Sequence, residues 1–401
     1  MHLTPDVKFI ISRLREYGYR ADIVGGPVRD FLRGVSPDDY DITTEATPEK
    51  IKEIFVDKRT IDTGIKHGTV TLVLEGGQYE ITTYRLDGEY KDSRHPESVT
   101  FTTSLAEDLA RRDFTMNAIA YNDIDGITDL FGGEEDIKAG LIRAVGDPVR
   151  RFTEDALRIL RALRFSSRLG FKIEDMTRKA LFGSAHLLKK ISAERIFAEW
   201  KKLIAGDFAY EVIDEYREII CLFLPEISGA AMPDKDRFCE AAPSIRQLSL
   251  FYLACGELAP CAFDTAMRRL KSDTNTRALG VSALSAVGKF NKNSSTEIGY
   301  MLMSLGRECA ECVTELEILL GLSADSSRDM LSKYLAEGLP YRISDLAVDG
   351  KDITALGFLG KAVGEALATL IREVVCGDVA NERSALIGRV RALKSNAEKN
   401  I

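Results

Sequence analysis

The chain has 401 residues, with 54 lysines and arginines against 62 aspartates and glutamates, a formal charge of −8. No run of about 18 apolar residues appears, which excludes a membrane-spanning helix, and the segment around Asp6 and Lys8 lacks a signal peptide's pattern, so a cytoplasmic protein is expected. Seven cysteines, odd in number and scattered from Cys221 to Cys376, argue against a disulfide framework and fit a reducing compartment.

In chain order, Val7, Ile10, Ile11 and Leu14 give helical periodicity over 7–18, closed by Gly18. Strands are expected at Ala21 to Val24, Tyr40 to Thr43, Thr69 to Leu74 and Tyr79 to Tyr84. Glu75-Gly76-Gly77-Gln78 forms a hairpin turn between the last two. Thr47 and Pro48 supply an N-cap and first helical residue for a helix to Phe55. Strand signals nearly vanish beyond Pro148, and amphipathic helices follow at 149–169, 175–189, 192–205 and onward. The fold class is therefore α+β: an N-terminal α/β head with a small mixed sheet, then an all-helical remainder. Boundaries fall near 148, 208 and 328. Cys309 and Cys312 form a lone CxxC in an apolar helical run with no second pair and no nearby histidine, which reads as core packing.

The most informative segment runs from Gly25-Gly26-Pro27-Val28-Arg29-Asp30 to Asp39-Tyr40-Asp41. Paired glycines after a strand let backbone approach a phosphate, and the helix that follows offers its first N–H groups to an anion. Asp39 and Asp41, two apart on a strand, are expected to face one side and share a divalent cation. Arg29, in the first helical turn, could clamp a phosphate with its fork of donors, with Asp30 as a structural partner for an arginine. Glycines for a triphosphate beside paired carboxylates are what metal-dependent nucleotidyl transfer requires. A third carboxylate belongs on a neighbouring strand, with Glu80 the candidate and Asp113 the runner-up. Arg112, Asp113 and Asn117 form a further group of donors and acceptors suited to a nucleotide, Asp113 and Asn117 being expected on one helical face.

A second constellation, Asp155, Arg158, Arg161 and Arg164, recurs every third residue and is expected along one helix as a slow spiral. Asp155 and Arg158 offer an acceptor beside donors, the complement of the amine and ring nitrogen of cytosine and of adenine. Uracil and guanine present the reverse pattern, so this pair could select C and A without a nucleic-acid template. Although the total charge discourages a polyanion partner, basic residues concentrate between Arg143 and Lys202, Arg168, Lys201 and Lys202 among them, and could form a local basic surface.

These motifs resemble the bacterial class II tRNA nucleotidyltransferases, the CCA-adding enzymes, within the polymerase β-like nucleotidyltransferase superfamily. The matching segments include Lys66-His67-Gly68-Thr69, Asp87-Gly88-x-Tyr90-x-Asp92-x-Arg94-x-Pro96, Arg111-Arg112-Asp113-Phe114-Thr115-x-Asn117-Ala118, Glu154-Asp155-x-x-Arg158-x-x-Arg161-x-x-Arg164-Phe165 and Ile191-Ser192-x-Glu194-Arg195. They cover residues 20 to 205 nearly continuously, and Asp345-Leu346-Ala347-Val348-x-Gly350-Lys351-Asp352 resembles the family's tail.

The resemblance implies a polymerase β-like head (1–148), a nucleotide-selecting neck (149–208), a body (209–328) and a tRNA-binding tail (329–401). It implies Mg2+ on Asp39 and Asp41, nucleotide contacts from Gly26, Arg29 and Arg112, base selection by Asp155 and Arg158, and support from Arg161 and Arg164. The partners it implies are the tRNA 3′ end, CTP and ATP, with no DNA and no membrane. Pro27, where a small residue is usual, and Tyr40 between the aspartates are departures. Alternatives are a bacterial poly(A) polymerase and an enzyme adding only A. The polar loop Arg85 to Pro96 resembles the segment associated with switching from C to A, which weighs against a CC-only enzyme. A silent RNA-binding module has no need of the like-charged Asp39 and Asp41. An HD-type phosphohydrolase is rejected, because none of the four histidines is followed by aspartate.

Overall fold

A computed structural model describes residues 3–37, 39–62, 64–87 and 99–399. Of the polar loop matched at 85–96, residues 88–96 lie outside the described residues. The chain forms two compact units that divide between Pro225 and Glu226.

In the first unit, helix α1 (Pro5–Glu16) starts where Thr4 Oγ1 accepts from the Val7 amide, with Pro5 at a position that needs no N–H. Strand β1 (Ala21–Val24), helix α2 (Gly26–Leu32), strand β2 (Asp41–Thr44) and helix α3 (Pro48–Ile54) follow. Next come strands β3 (Arg59–Ile61), β4 (Thr69–Leu74), β5 (Gly77–Thr83), β6 (Arg85–Asp87) and β7 (Val99–Phe101). The head closes with helix α4 (Leu105–Ala110), strands β8 (Ile119–Asn122) and β9 (Gly126–Asp129), helix α5 (Gly133–Ala139) and strand β10 (Leu141–Ile142).

Seven strands make one mixed sheet in the order β3-β4-β5-β2-β1-β8-β9. Only β2 and β5 run parallel. Register fixes what each face carries. Ile23, Ile42, Ile81 and Val70 lie in one row across four strands, all fully buried on the face that α1 and α3 pack against. The opposite face carries Asp41, Thr43, Glu80 and Thr82, and its buried part, Val24, Tyr84 and Ala120, packs under Leu105 and Leu109 of α4. The sheet therefore has one apolar face and one face whose open part is polar.

Four helices follow: α6 (Pro148–Glu154), α7 (Leu157–Leu169), α8 (Asp175–Ser184) and α9 (Ala193–Ile204), with β11 (Lys172–Ile173) pairing in parallel with β10. The expected single helix over 149–169 is broken at Asp155, which adopts φ −139° and ψ 102°. Its Oδ1 accepts from the Leu157 amide at 3.0 Å and restarts the helix, as aspartate does at a cap. The second unit is helical throughout among the described residues, from Lys235–Glu240 to Arg383–Lys399. Cys309 and Cys312 are buried in its helix Arg307–Leu319, and burial, reinforced by Cys309, pushes the Cys312 thiol up to about 12.

Candidate active site

β1 delivers the chain to Gly25, whose φ of 78° lies in the region open mainly to glycine. A Cβ there would stand 3.3 Å from Arg112 Nη1 and 3.6 Å from the Asn117 carbonyl oxygen, so the bare backbone is what lets Arg112 approach. Pro27 falls in the first turn of α2 and suits a helix start. Arg29 is 5% exposed and gives Nε and Nη2 to the two oxygens of Asp30 at 3.0 and 3.1 Å, while Nη1 donates to Asn117 Oδ1 at 2.8 Å.

Asp41 opens β2 and lies in register with Glu80 of β5, so the two carboxylates are cross-strand neighbours on the same sheet face. Asp39 sits in a bend ahead of the strand, where strand alternation no longer sets the direction of its side chain. The expected i, i+2 strand geometry for Asp39 and Asp41 is corrected accordingly. Both side chains are exposed, yet Asp41 lies among protein that displaces water. This desolvation raises its pKa, Arg112 opposes the rise, and Asp39 adds to it as a nearby like charge. Asp41 is thus the electrostatic neighbour of both Arg112 and Asp39. No group of three or more His, Cys, Asp or Glu side chains is gathered to hold a metal among the described residues, so the coupled unit is the Asp39–Asp41 pair, with Glu80 beside it.

Arg112 is anchored by Asp108, a fully buried carboxylate that accepts from Arg112 Nη2 at 3.1 Å and from Arg111 Nε and Nη2 at 2.9 and 2.6 Å. Burial lowers the pKa of Arg112, Asp108 counters this, and its Nε is left buried with no acceptor among the described residues. Asp108 was not anticipated as a site residue, although its i, i+4 spacing to Arg112 is a signal.

Asp113 and Asn117 do meet, but across a 3-10 turn (Thr115–Asn117) rather than on an α-helical face. The reason is that Asp113 Oδ1 accepts from the Phe114 amide at 2.8 Å and from Asn117 Nδ2 at 3.1 Å. Its Oδ2 takes Arg161 Nε at 2.8 Å and Nη2 at 2.7 Å. Burial pushes this carboxyl up, yet Arg161 and Asn117 outweigh it and hold the pKa at about 2. A continuous polar chain results: Asp30, Arg29, Asn117, Asp113, Arg161.

The break before α7 separates Asp155 from the arginine series, correcting the expected four-residue ladder on one helix. Asp155 Oδ2 accepts from Arg195 Nη2 at 3.0 Å. Arg158, 7% exposed, gives Nη1 to Glu154 at 3.0 Å and Nη2 to the Arg111 carbonyl at 3.0 Å. Asp155 and Arg158 therefore have different protein partners. Arg164 pairs with the buried Glu199 at 3.2 Å. Phe165 receives three guanidinium groups on its ring, Arg29 and Arg161 at 5.4 Å and Arg164 at 4.3 Å from the centroid. Burial, then Arg161, pulls the Arg164 pKa down to about 10 against the opposing pull of Glu199. Sequence reasoning did not anticipate Phe165, Glu199 or Arg195 in these roles; Phe165 and Arg195 nevertheless stand inside matched motifs.

A model of the Poly A polymerase head domain matches residues 21–143, and one described as the probable RNA and SrmB-binding site of polymerase A matches 170–227. The CCA-adding enzyme of Ligilactobacillus salivarius (strain UCC118) is 37% identical over 398 residues, covering 96% of this chain and 95% of its own. That of Geobacillus stearothermophilus is 38% identical, covering 98% and 97%. The crystal structure of the Bacillus stearothermophilus CCA-adding enzyme in complex with CTP superposes with a TM-score of 0.81 at 34% identity, covering all of both chains. The Thermotoga maritima CCA-adding enzyme complexed with tRNA shares the fold, with a TM-score of 0.66 at 20% identity over 97% of this chain and 96% of that one.

Proposed function

Because this chain belongs to the CCA-adding enzymes, we propose that it adds CCA to the 3′ end of tRNA from CTP and ATP, without a template and with release of diphosphate. What supports the reading is Asp41 in register with Glu80 and coupled electrostatically to Arg112 and Asp39, together with the polar chain from Arg29 to Arg161. Carboxylates for a cation stand next to guanidinium groups for a triphosphate.

The family implies dependence on a divalent cation, and we take it to be Mg2+, because an exposed all-oxygen donor pair of Asp39 and Asp41 suits a hard ion. When bound, the ion would activate the tRNA 3′ hydroxyl and stabilise charge on the α-phosphate. Asp39 and Asp41 would hold it, and Glu80, in register with Asp41 on the neighbouring strand, is the candidate third carboxylate. Gly26 and Arg29 face the triphosphate, and Arg112 sets its charge against it while Asp108 keeps that guanidinium in place. Asp113 and Asn117 orient Arg161 and Arg29.

Base selection falls to Asp155 as acceptor and Arg158 as donor, with support from Arg161 and Arg164, whose guanidinium groups lie on Phe165. A uracil or guanine edge would leave polar groups unpaired, at about 1 to 3 kcal/mol each. The head (1–148) then runs the chemistry, the neck (149–208) selects, and the body (209–328) and tail (329–401) hold tRNA. The reaction belongs to the cytoplasm, and no described helix is long and apolar enough to cross a membrane.

The deciding experiment incubates purified protein with tRNA ending at the discriminator base, CTP, ATP and Mg2+, and sequences the 3′ ends. CCA ends are expected. A-only ends, CC-only ends or a long A tail would each replace this reading with a different transferase.

A further inference from the structure

We propose that a cavity of about 470 Å³ on the neck, lined by Arg164, Arg168, Lys202 and Gly206, is a binding subsite for a backbone phosphate of the RNA substrate. The proposal rests on the tRNA reading above and extends it to a place and to residues. Arg164 and Arg168 stand four apart on α7, so both project from one face of that helix, and Lys202 of α9 completes the set. Like charges at this spacing repel, and α7 and α9 nevertheless bring three cations to one cavity, with Asp207 the one acidic residue in its lining. Arg164 is partly answered by Glu199. Among the described residues, the exposed side chains of Arg168 and Lys202 have no hydrogen-bonding or ion-pair partner, whereas most arginines of this acidic protein are paired.

The cavity wall is fixed rather than loosely assembled. A Cβ on Gly206 would fall 2.2 Å from Ser167 Oγ and 2.4 Å from its carbonyl oxygen, so the chain leaving α9 lies directly on α7. Ser167 Oγ also donates to the Leu203 carbonyl at 2.5 Å, and the Phe208 amide donates to the Ser167 carbonyl at 2.9 Å.

The lining identifies the ligand's chemistry. Guanidinium forks and an ammonium group recognise phosphate, and the absence of any aromatic side chain from the lining leaves no platform on which a base could stack. A site that reads phosphate and not base serves every tRNA alike. Arg164 belongs both to this cavity and to the ring of arginines on Phe165, so a phosphate held here sits beside the residues assigned to the incoming nucleotide. RNA backbone is favoured over free diphosphate because Arg168 and Lys202 are solvent-facing, as a groove for a passing strand requires.

The test is Arg168→Ala/Lys202→Ala in the full chain, with Arg164 left intact and folding checked by circular dichroism. tRNA affinity, measured by anisotropy across a salt series, should fall on the order of tenfold. The slope of log affinity against log salt should shrink by about 0.7 to 0.9, for one phosphate no longer neutralised. The loss should be equal for tRNAs of different acceptor sequence, while CTP affinity without RNA and inhibition by inorganic pyrophosphate stay unchanged. Unaltered tRNA affinity and slope would overturn the proposal, as would weakened pyrophosphate inhibition with normal tRNA binding. Failure of the wild-type chain to bind tRNA would instead overturn the functional reading and this proposal with it.

Discussion

Replacing Asp113 by asparagine removes the charge that Arg161 answers while keeping a side chain of nearly the same shape. Asp113 is 9% exposed, and its carboxyl is held at about 2 against an ordinary 3.8. A difference of that size corresponds to about 2 kcal/mol at neutral pH. Arg161 shows 32% of its side chain to solvent, which screens part of the pair and brings the expected loss to about 1 to 2 kcal/mol. The Phe114 amide can still donate to the asparagine oxygen, so the turn survives.

The sign follows from the depressed pKa. The contribution is complete above the unfolded value near 3.8 and disappears as pH falls through about 2. Trp200, the single tryptophan, is buried in the same unit as Asp113 and reports its unfolding by fluorescence in urea. The gap between wild type and Asp113→Asn should be full at pH 7 and roughly halved near pH 3. A gap that stays constant from pH 7 to pH 3, or one below about 0.5 kcal/mol at pH 7, would refute the assignment of a charged, stabilising pair.

Asp41→Asn should lower CMP incorporation on the order of a thousandfold with tRNA affinity unchanged, and Glu80→Gln should also cut the rate. Incorporation by Asp41→Asn at the wild-type rate would remove the metal assignment, and a Glu80→Gln rate within about twofold of wild type would remove Glu80 from the carboxylate set. Arg158→Ala should raise UTP misincorporation about 10- to 100-fold, read by 3′-end sequencing, and unchanged UTP rejection would count against selection by the protein. Because Arg158 also holds Glu154 and the Arg111 carbonyl, its Tm should fall as well. Asp108→Asn leaves Arg111 and Arg112 without their buried counterion and should cost about 3 kcal/mol in urea unfolding. It should also raise the KM for CTP more than it lowers kcat; unchanged kinetics would show that Arg112 does not depend on Asp108.

Local pattern determined much of this protein by itself. Ala21 to Val24 and Thr69 to Leu74 form strands at the expected residues, and Thr47 with Pro48 starts α3, because alternation, caps and turn glycines act within a few residues. The Gly25 to Asp41 segment was legible for the same reason: its glycine, helix start and carboxylates are neighbours in sequence. The sheet order, which puts β5 and Glu80 beside β2 and Asp41, was decided by burial of the row from Ile23 to Val70. Periodicity predicted a continuous helix through Asp155, and a side chain that caps Leu157 and reaches Arg195, 40 residues away, ended it. Asp113 with Arg161 and Arg164 with Glu199 are partners 48 and 35 residues apart. Sequence named the charged residues, but which opposite charge or ring each one meets is set by desolvation inside the packed unit, where a charge needs a partner and only the tertiary structure supplies it.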